Sequence, residues 1–295
     1  MLAVRRLAGI IGAMIVDFHT HVLPREVRDN RAEYARRDPV FAELYASPQA
    51  RIVTADELVS AMDREGVDVS VVLNIGWTTQ QLCVETNDYI LEAAARFPAR
   101  LVPFCAVQPR AGHSAVMEIE RCVRGGARGI GELRPDVQLA ESGPEVMAGL
   151  AEVIRRNNLI VTTHASEPVG HRYNGKGRVT PDYLCRLIEV LPDITIVCSH
   201  WGGGLPFYAL MPEVKEALAR VYFDTAASPF LYRPQVYRQV IALVGEDKVL
   251  FGSDYPLMPP SRLIKEIDAL ALPPATREKV LSGNARRLLN IFTFR

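Results

Sequence analysis

Apolar positions along this chain follow two alternating rhythms. Short runs rich in valine, isoleucine and leucine are followed by longer stretches in which apolar residues recur every three or four positions. The first rhythm is that of a strand buried on both faces. The second is that of an amphipathic helix. Strands are expected at Met14–Phe18, Asp68–Asn74, Leu101–Val107, Ala127–Leu133, Leu159–His164, Thr195–His200, Val221–Thr225 and Lys248–Ser253. Helices are expected at Ala55–Glu65 (capped by Thr54), Gln80–Arg96, Ser114–Arg124, Pro144–Asn157, Pro181–Leu191, Pro206–Arg220, Pro234–Val244 and Arg262–Leu270. Two short helices, Ala275–Leu281 and Asn284–Asn290, close the chain. The polar segments 22–53 and 167–179 read as long loops.

Eight strand–helix units imply a parallel sheet, because parallel neighbours need crossover connections. Right-handed crossovers repeated eight times close into a (β/α)8 barrel, the expected fold, spanning residues 14–295 as one domain. An open doubly wound sheet is the alternative. It normally carries a glycine fingerprint after its first strand, whereas histidines stand there in this chain. A length of 295 residues suits one such barrel, and 48% hydrophobic residues suffice for its core. Met1–Ala13 carries two arginines and a short apolar run that leads straight into the first strand; it reads as an extension outside the barrel.

The charge balance narrows the partners. Formal net charge is zero and no basic stripe appears, so a small-molecule substrate fits better than nucleic acid. No segment looks long and apolar enough for a membrane span. The five cysteines, Cys83, Cys105, Cys122, Cys185 and Cys198, show no CxxC spacing. They read as reduced, buried thiols of a cytoplasmic protein rather than metal ligands. A homo-oligomer is compatible with the pattern, but no stripe marks an interface.

Candidate chemistry gathers where the strands end. In Asp17-Phe18-His19-Thr20-His21, side chains two apart share a face, so both imidazoles project from the end of one strand. Glu132 lies on the fourth strand, His164 ends the fifth, His200 ends the sixth, and Asp254 follows the eighth. Four of the six histidines thus occupy strand ends, where a barrel of this type builds its active site. Imidazoles and carboxylates converging on one point suit a divalent metal, with zinc the natural candidate.

With Ser199-His200-Trp201-Gly202-Gly203-Gly204 and Gly252-Ser253-Asp254-Tyr255-Pro256 added, the set resembles the amidohydrolase superfamily, in particular its amidohydrolase-related branch, which also contains decarboxylases. The resemblance runs from Ile15 to Gly283-Asn284-Ala285. It implies that His19, His21, His164 and Asp254 are metal ligands. It implies further that His200 binds a second metal or acts on the substrate, and that Asp254 serves as general base. Strand four of many relatives carries a bridging ligand, often a modified lysine; here Glu132 stands there, as in the TatD-like nucleases. Glu132 is therefore either a bridge between two ions or an outer acid orienting a histidine. One or two zinc ions per chain are expected.

The implied activity is hydrolysis of an amide, ester or lactone of a small molecule by metal-activated water, with Asp254 and His200 catalytic. The alternative is a metal-dependent, non-oxidative decarboxylase of an aromatic or related carboxylic acid; Glu132 tilts the reading towards hydrolysis. A phosphoesterase or nuclease, suggested by the glutamate alone, and a metal-holding scaffold without turnover are the remaining rivals. In the 167–179 loop, His171, Arg172, Tyr173 and Lys176 are candidate substrate-binding residues, because long loops over a barrel mouth are often functional.

Overall fold

The computed structural model describes residues 14–139 and 142–291; the expected extension before Met14 lies outside them. Eight parallel strands hydrogen-bond in chain order: β1 (Val16–His21), β2 (Val69–Leu73), β3 (Leu101–Cys105), β4 (Gly129–Leu133), β5 (Ile160–Thr163), β6 (Ile196–Cys198), β7 (Val221–Asp224) and β8 (Val249–Leu250). Single backbone bonds close the ring. Phe18 N donates to the Phe251 carbonyl at 2.7 Å, His21 N to Tyr255 at 2.8 Å, and Asp254 N to His19 at 2.9 Å. The fold is the expected (β/α)8 barrel.

Strand residues are buried on both faces, which is why their sequences are near-continuous apolar runs. Inside the barrel Val16, Phe18, Val71, Phe104, Val197 and Leu250 pack together, all fully buried. The larger cluster lies between the strands and the surrounding helices, with Ile119, Ile154, Leu184, Val240 and Leu263 among its members. A capping box opens the helix Ala55–Glu65: Thr54 accepts from the Glu57 N–H, and Glu57 reaches back to the Thr54 N–H.

Several expected elements differ in detail. The 22–53 segment is not one irregular loop but three short helices, Arg25–Asp29, Arg31–Arg37 and Pro39–Tyr45. Asp38 caps the last by accepting from the Phe41 N–H, and Pro39 occupies the first turn, where a missing N–H costs nothing. The stretch Pro206–Arg220 is broken into pieces, with a fresh helical start at Pro212. Pro144–Asn157 begins as a tighter helix, Pro144–Leu150, before Ala151–Arg156 becomes α-helical. β6 and β8 stop before His200 and Asp254, which therefore sit on turns just beyond the strand ends. No described helix is long and apolar enough to cross a membrane.

Candidate metal centre and cavity

The turns after the strands aim the polar groups inward. His200 and Trp201 adopt left-handed backbone (φ 55° and 58°), followed by three glycines with positive φ. The His200 N–H donates to Asp224 Oδ1 at 2.9 Å, and the buried Trp201 indole donates to Ser228 Oγ at 2.9 Å, so the turn is pinned at both ends. A Cβ on Gly203 would fall 2.3 Å from the Ser166 carbonyl oxygen; only glycine lets the two loops meet there. Asp17, fully buried, accepts from Ser253 N at 2.9 Å and from the Ser253 hydroxyl at 2.5 Å. It thereby locks the turn that carries Asp254 onto β1.

Each of the four histidines is held from behind. His19 Nδ1 lies 2.8 Å from Asp224 Oδ2, His21 Nδ1 3.1 Å from the Leu73 carbonyl, and His200 Nδ1 3.1 Å from the Ala226 carbonyl. Carbonyl and carboxylate oxygens accept only, so Nδ1 of each ring carries the proton and Nε2 turns to the centre. His164 is mounted the other way round. Its Nε2 lies 3.1 Å from Ser166 Oγ and its Nδ1 faces Glu132 Oε1 at 3.3 Å.

The inward atoms converge. His19 Nε2 and His21 Nε2 are 3.0 Å apart, and Asp254 Oδ1 is 3.7 and 3.5 Å from them. Glu132 Oε2 is 3.9 Å from both, while Glu132 Oε1 is 3.4 Å from His200 Nε2. Two triads, His19–His21–Asp254 and His19–Glu132–His200, each bring one donor atom per residue within 4.8 Å. His164 adjoins them through Glu132. A tetrahedral ion with bonds of about 2.0–2.2 Å sets its ligands roughly 3–3.5 Å apart, close to these separations.

The electrostatics calls for a cation. Burial acts to lower the His19 pKa, but Asp224, Glu132 and Asp254 outweigh it and push the imidazole up to about 10. His200 is likewise pushed up to about 9: burial opposes, and the hydrogen bond and charge of Glu132 prevail. His21, facing His19, is lowered by burial and by that neighbour. Glu132 is held well below the usual range, since His19 and His164 overcome its burial. Burial raises Asp17 to about 7. Three carboxylates thus hold positive charge at the centre. A divalent cation can supply that charge in place of the protons on His19 and His200, so the residues fit a divalent metal.

Above the centre opens a cavity of about 490 Å³. His21, Glu132, His164, His200 and Asp254 form its floor, and Leu44, Ala227, Phe230, Leu231 and Leu257 make much of the wall apolar. Tyr45, Arg51, Arg134, His171, Tyr173 and Asn174 add polar groups. Burial, together with Asp254 and Glu132, raises the Tyr45 pKa and keeps its hydroxyl protonated.

Of the loop residues proposed from sequence, His171 and Tyr173 line this cavity; among the described residues that line it, Arg172 and Lys176 do not appear. The Lys176 ammonium donates to the carbonyls of Val169 and His171 at 2.5 and 3.0 Å, tying the loop to itself. The Tyr173 hydroxyl donates to Glu167 Oε2 at 2.9 Å.

Three residues at the site were missed. Asp224 ends β7, a strand-end acid in Val221-Tyr222-Phe223-Asp224 that the same argument would have found. Arg134, just past β4, is 2% exposed, between Asp136 Oδ1 at 3.3 Å and Glu43 Oε2 at 3.1 Å. Tyr45 comes from the segment read as loop, and nothing in its spacing announces it.

The sequence matches the amidohydrolase family over residues 16–291. It is 21% identical to the 2-amino-3-carboxymuconate-6-semialdehyde decarboxylase of Dictyostelium discoideum, covering 94% of this chain and 91% of that one. It is 21% identical to the gamma-resorcylate decarboxylase of a Polaromonas species, covering 80% and 87%. A 5-carboxyvanillate decarboxylase from Novosphingobium aromaticivorans, solved with bound manganese and 3-methoxy-4-hydroxy-5-nitrobenzoic acid, superposes with a TM-score of 0.80 at 17% identity, covering 95% of this chain and 98% of that one. These findings overturn the expected hydrolysis of an amide, ester or lactone, because the relatives are named as decarboxylases. Glu132 does not separate the two reactions, because an acid facing four imidazoles serves either. With the match extending over nearly the whole barrel, the chain belongs to the amidohydrolase family.

Proposed function

We propose that this protein is a metal-dependent, non-oxidative decarboxylase of an aromatic or related carboxylic acid. The observation that carries the reading is the imidazole–carboxylate floor beneath a cavity with a largely apolar wall, in a chain whose relatives are named as decarboxylases. Such a cavity accepts a flat ring and presents its carboxylate to the floor.

A divalent ion, manganese as in the solved neighbour or zinc as the sequence suggests, would be held by His19, His21, His164 and Asp254, and when bound it supplies positive charge that orients an anionic substrate. The rest falls to the chain's own groups. Decarboxylation adds a proton to the ring carbon; the electron pair of the breaking carbon–carbon bond returns to the ring, and carbon dioxide leaves. No water is consumed. His200 Nε2 and Asp254 share the cavity floor and are the groups that move that proton. Glu132, 3.4 Å from His200 Nε2, holds the imidazole in place. Leu44, Ala227, Phe230, Leu231 and Leu257 give the ring an apolar wall to lie against.

The test is carbon dioxide release by the manganese- or zinc-loaded protein from a panel of hydroxybenzoic acids, run in deuterated water. The expected result is one carbon dioxide per decarboxylated ring and one deuteron at the vacated carbon. Turnover of esters, lactones or amides with none of the acids overturns the reading. Metal per active chain, measured alongside, separates a one-ion centre from one bridged by Glu132.

A further inference from the structure

Ser166 belongs to no ligand set, yet it is held on several sides next to His164. It is fully buried. Its N–H donates to the Val179 carbonyl at 2.9 Å, and its carbonyl packs against Gly203, where a Cβ would intrude to 2.3 Å. Its hydroxyl oxygen lies 3.1 Å from His164 Nε2 and accepts from the Gly177 N–H at 3.0 Å. The residue thus joins three parts: the end of β5, the 167–179 loop and the glycine turn after His200.

We infer that Ser166 is the positioning residue for His164, accepting from Nε2–H in the tautomer that offers Nδ1 to the metal. The argument is one of hydrogen-bond accounting. His19, His21 and His200 each face an oxygen that only accepts, which fixes their protons without ambiguity. His164 presents Nδ1, not Nε2, to the centre, 3.3 Å from Glu132 Oε1; without a cation Nδ1–H can donate to that carboxylate while the Ser166 hydroxyl donates to Nε2, and a bound cation reverses both. Nδ1 can ligate a cation only as a lone pair, so Nε2 must carry the proton and must have an acceptor. Ser166 Oγ is the atom in reach. A hydroxyl oxygen has two lone pairs; the Gly177 N–H takes one and His164 Nε2–H takes the other. The loop over the mouth therefore helps set the state of a ligand beneath it, through two hydrogen bonds on one oxygen.

This rests on the reading of the histidine cluster as a metal centre, and the test separates the two. Wild-type and Ser166→Ala proteins, stripped of metal, are titrated with manganese and with zinc against a competing chelator. Ser166→Ala is expected to bind about 10–100-fold more weakly, the usual cost of losing an outer partner of a ligating histidine. In the zinc-loaded, 15N-histidine-labelled wild type, the His164 ring is expected to show a protonated Nε2 and a metal-bound Nδ1. Ser166→Ala affinity within twofold of wild type, or a wild-type His164 ring bound through Nε2, overturns the inference. A metal-free melting point lowered by the substitution with affinity unchanged shows a packing role only, and also overturns it. If Ser166→Ala does not fold, the wild-type spectrum decides. A wild type that binds neither metal removes the metal centre itself, and this inference with it.

Discussion

The cavity has two halves built on different principles. The floor stands on the strands and the tight turns at their ends: His19 and Asp224 are fully buried, and His21, Glu132, His164 and His200 are nearly so. Every ring there has a partner behind it, so its geometry is set before anything binds. The wall on the 167–179 side is loop-borne. His171 and Arg172 are exposed, Tyr173 is half-buried, and Lys176 spends its donors on loop carbonyls. The barrel strands are among the last parts of such a fold to open, whereas loops with solvated hydrogen bonds open locally at little cost. The floor can therefore keep one chemistry while the wall changes its choice of substrate.

The sharpest way to break this division is to disable the floor without moving it. Asp254→Asn keeps shape and removes the acid proposed both to hold the metal and to move the proton; kcat/KM for carbon dioxide release should fall by about 10²–10⁴-fold. Near-wild-type turnover would shift the chemistry elsewhere. A step outward, Asp224→Asn replaces the carboxylate behind His19 Nδ1, and metal affinity should drop by about 10–100-fold in a chelator competition. Acid probes the same contact. In the metal-free protein His19 is protonated up to about pH 10, so an incoming cation must displace that proton. Affinity should thus weaken as pH falls below about 10, by up to about tenfold per unit; a flat profile from pH 7 to 9 would show that metal binding displaces no proton from His19.

The wall should answer more faintly. Tyr173→Phe removes the bond to Glu167 and should raise KM by a factor of roughly 2–10 with kcat held, as expected for one modest hydrogen bond. Smaller still, Lys176→Ala should leave metal affinity untouched and change KM by no more than about twofold, because the ammonium serves the loop. A larger loss of kcat than of KM in either variant would mean that the loop belongs to the chemistry after all.

Legibility in the sequence follows the same division. The barrel could be read because doubly buried strands leave long apolar runs and their helices leave a clear period. His19 and His21 could be read because a two-residue alternation fixes their common face. Asp224 obeyed the same rule at the end of β7 and was overlooked. The helices of 25–45 could not be read from periodicity, being five to seven residues each; only Asp38-Pro39 marked a start. Arg134 and Tyr45 reach the cavity from connections whose course depends on the finished fold. Hydrolysis and decarboxylation share their donors, so what separates them lies in the cavity's shape and not in the motif.

The seam of the barrel has a consequence for biosynthesis. Asp17 is tied to Ser253 across 236 positions, and one of the backbone bonds that close the ring runs from Asp254 to His19. On the ribosome, β1 emerges with its two imidazoles long before their carboxylate partner is translated. Synthesis proceeds at about 5–20 residues per second, so the pair waits on the order of ten seconds or more beside an open sheet edge. The same late event seals that edge and completes the donor set, so a nascent chain cannot hold the full centre before its last strand is made.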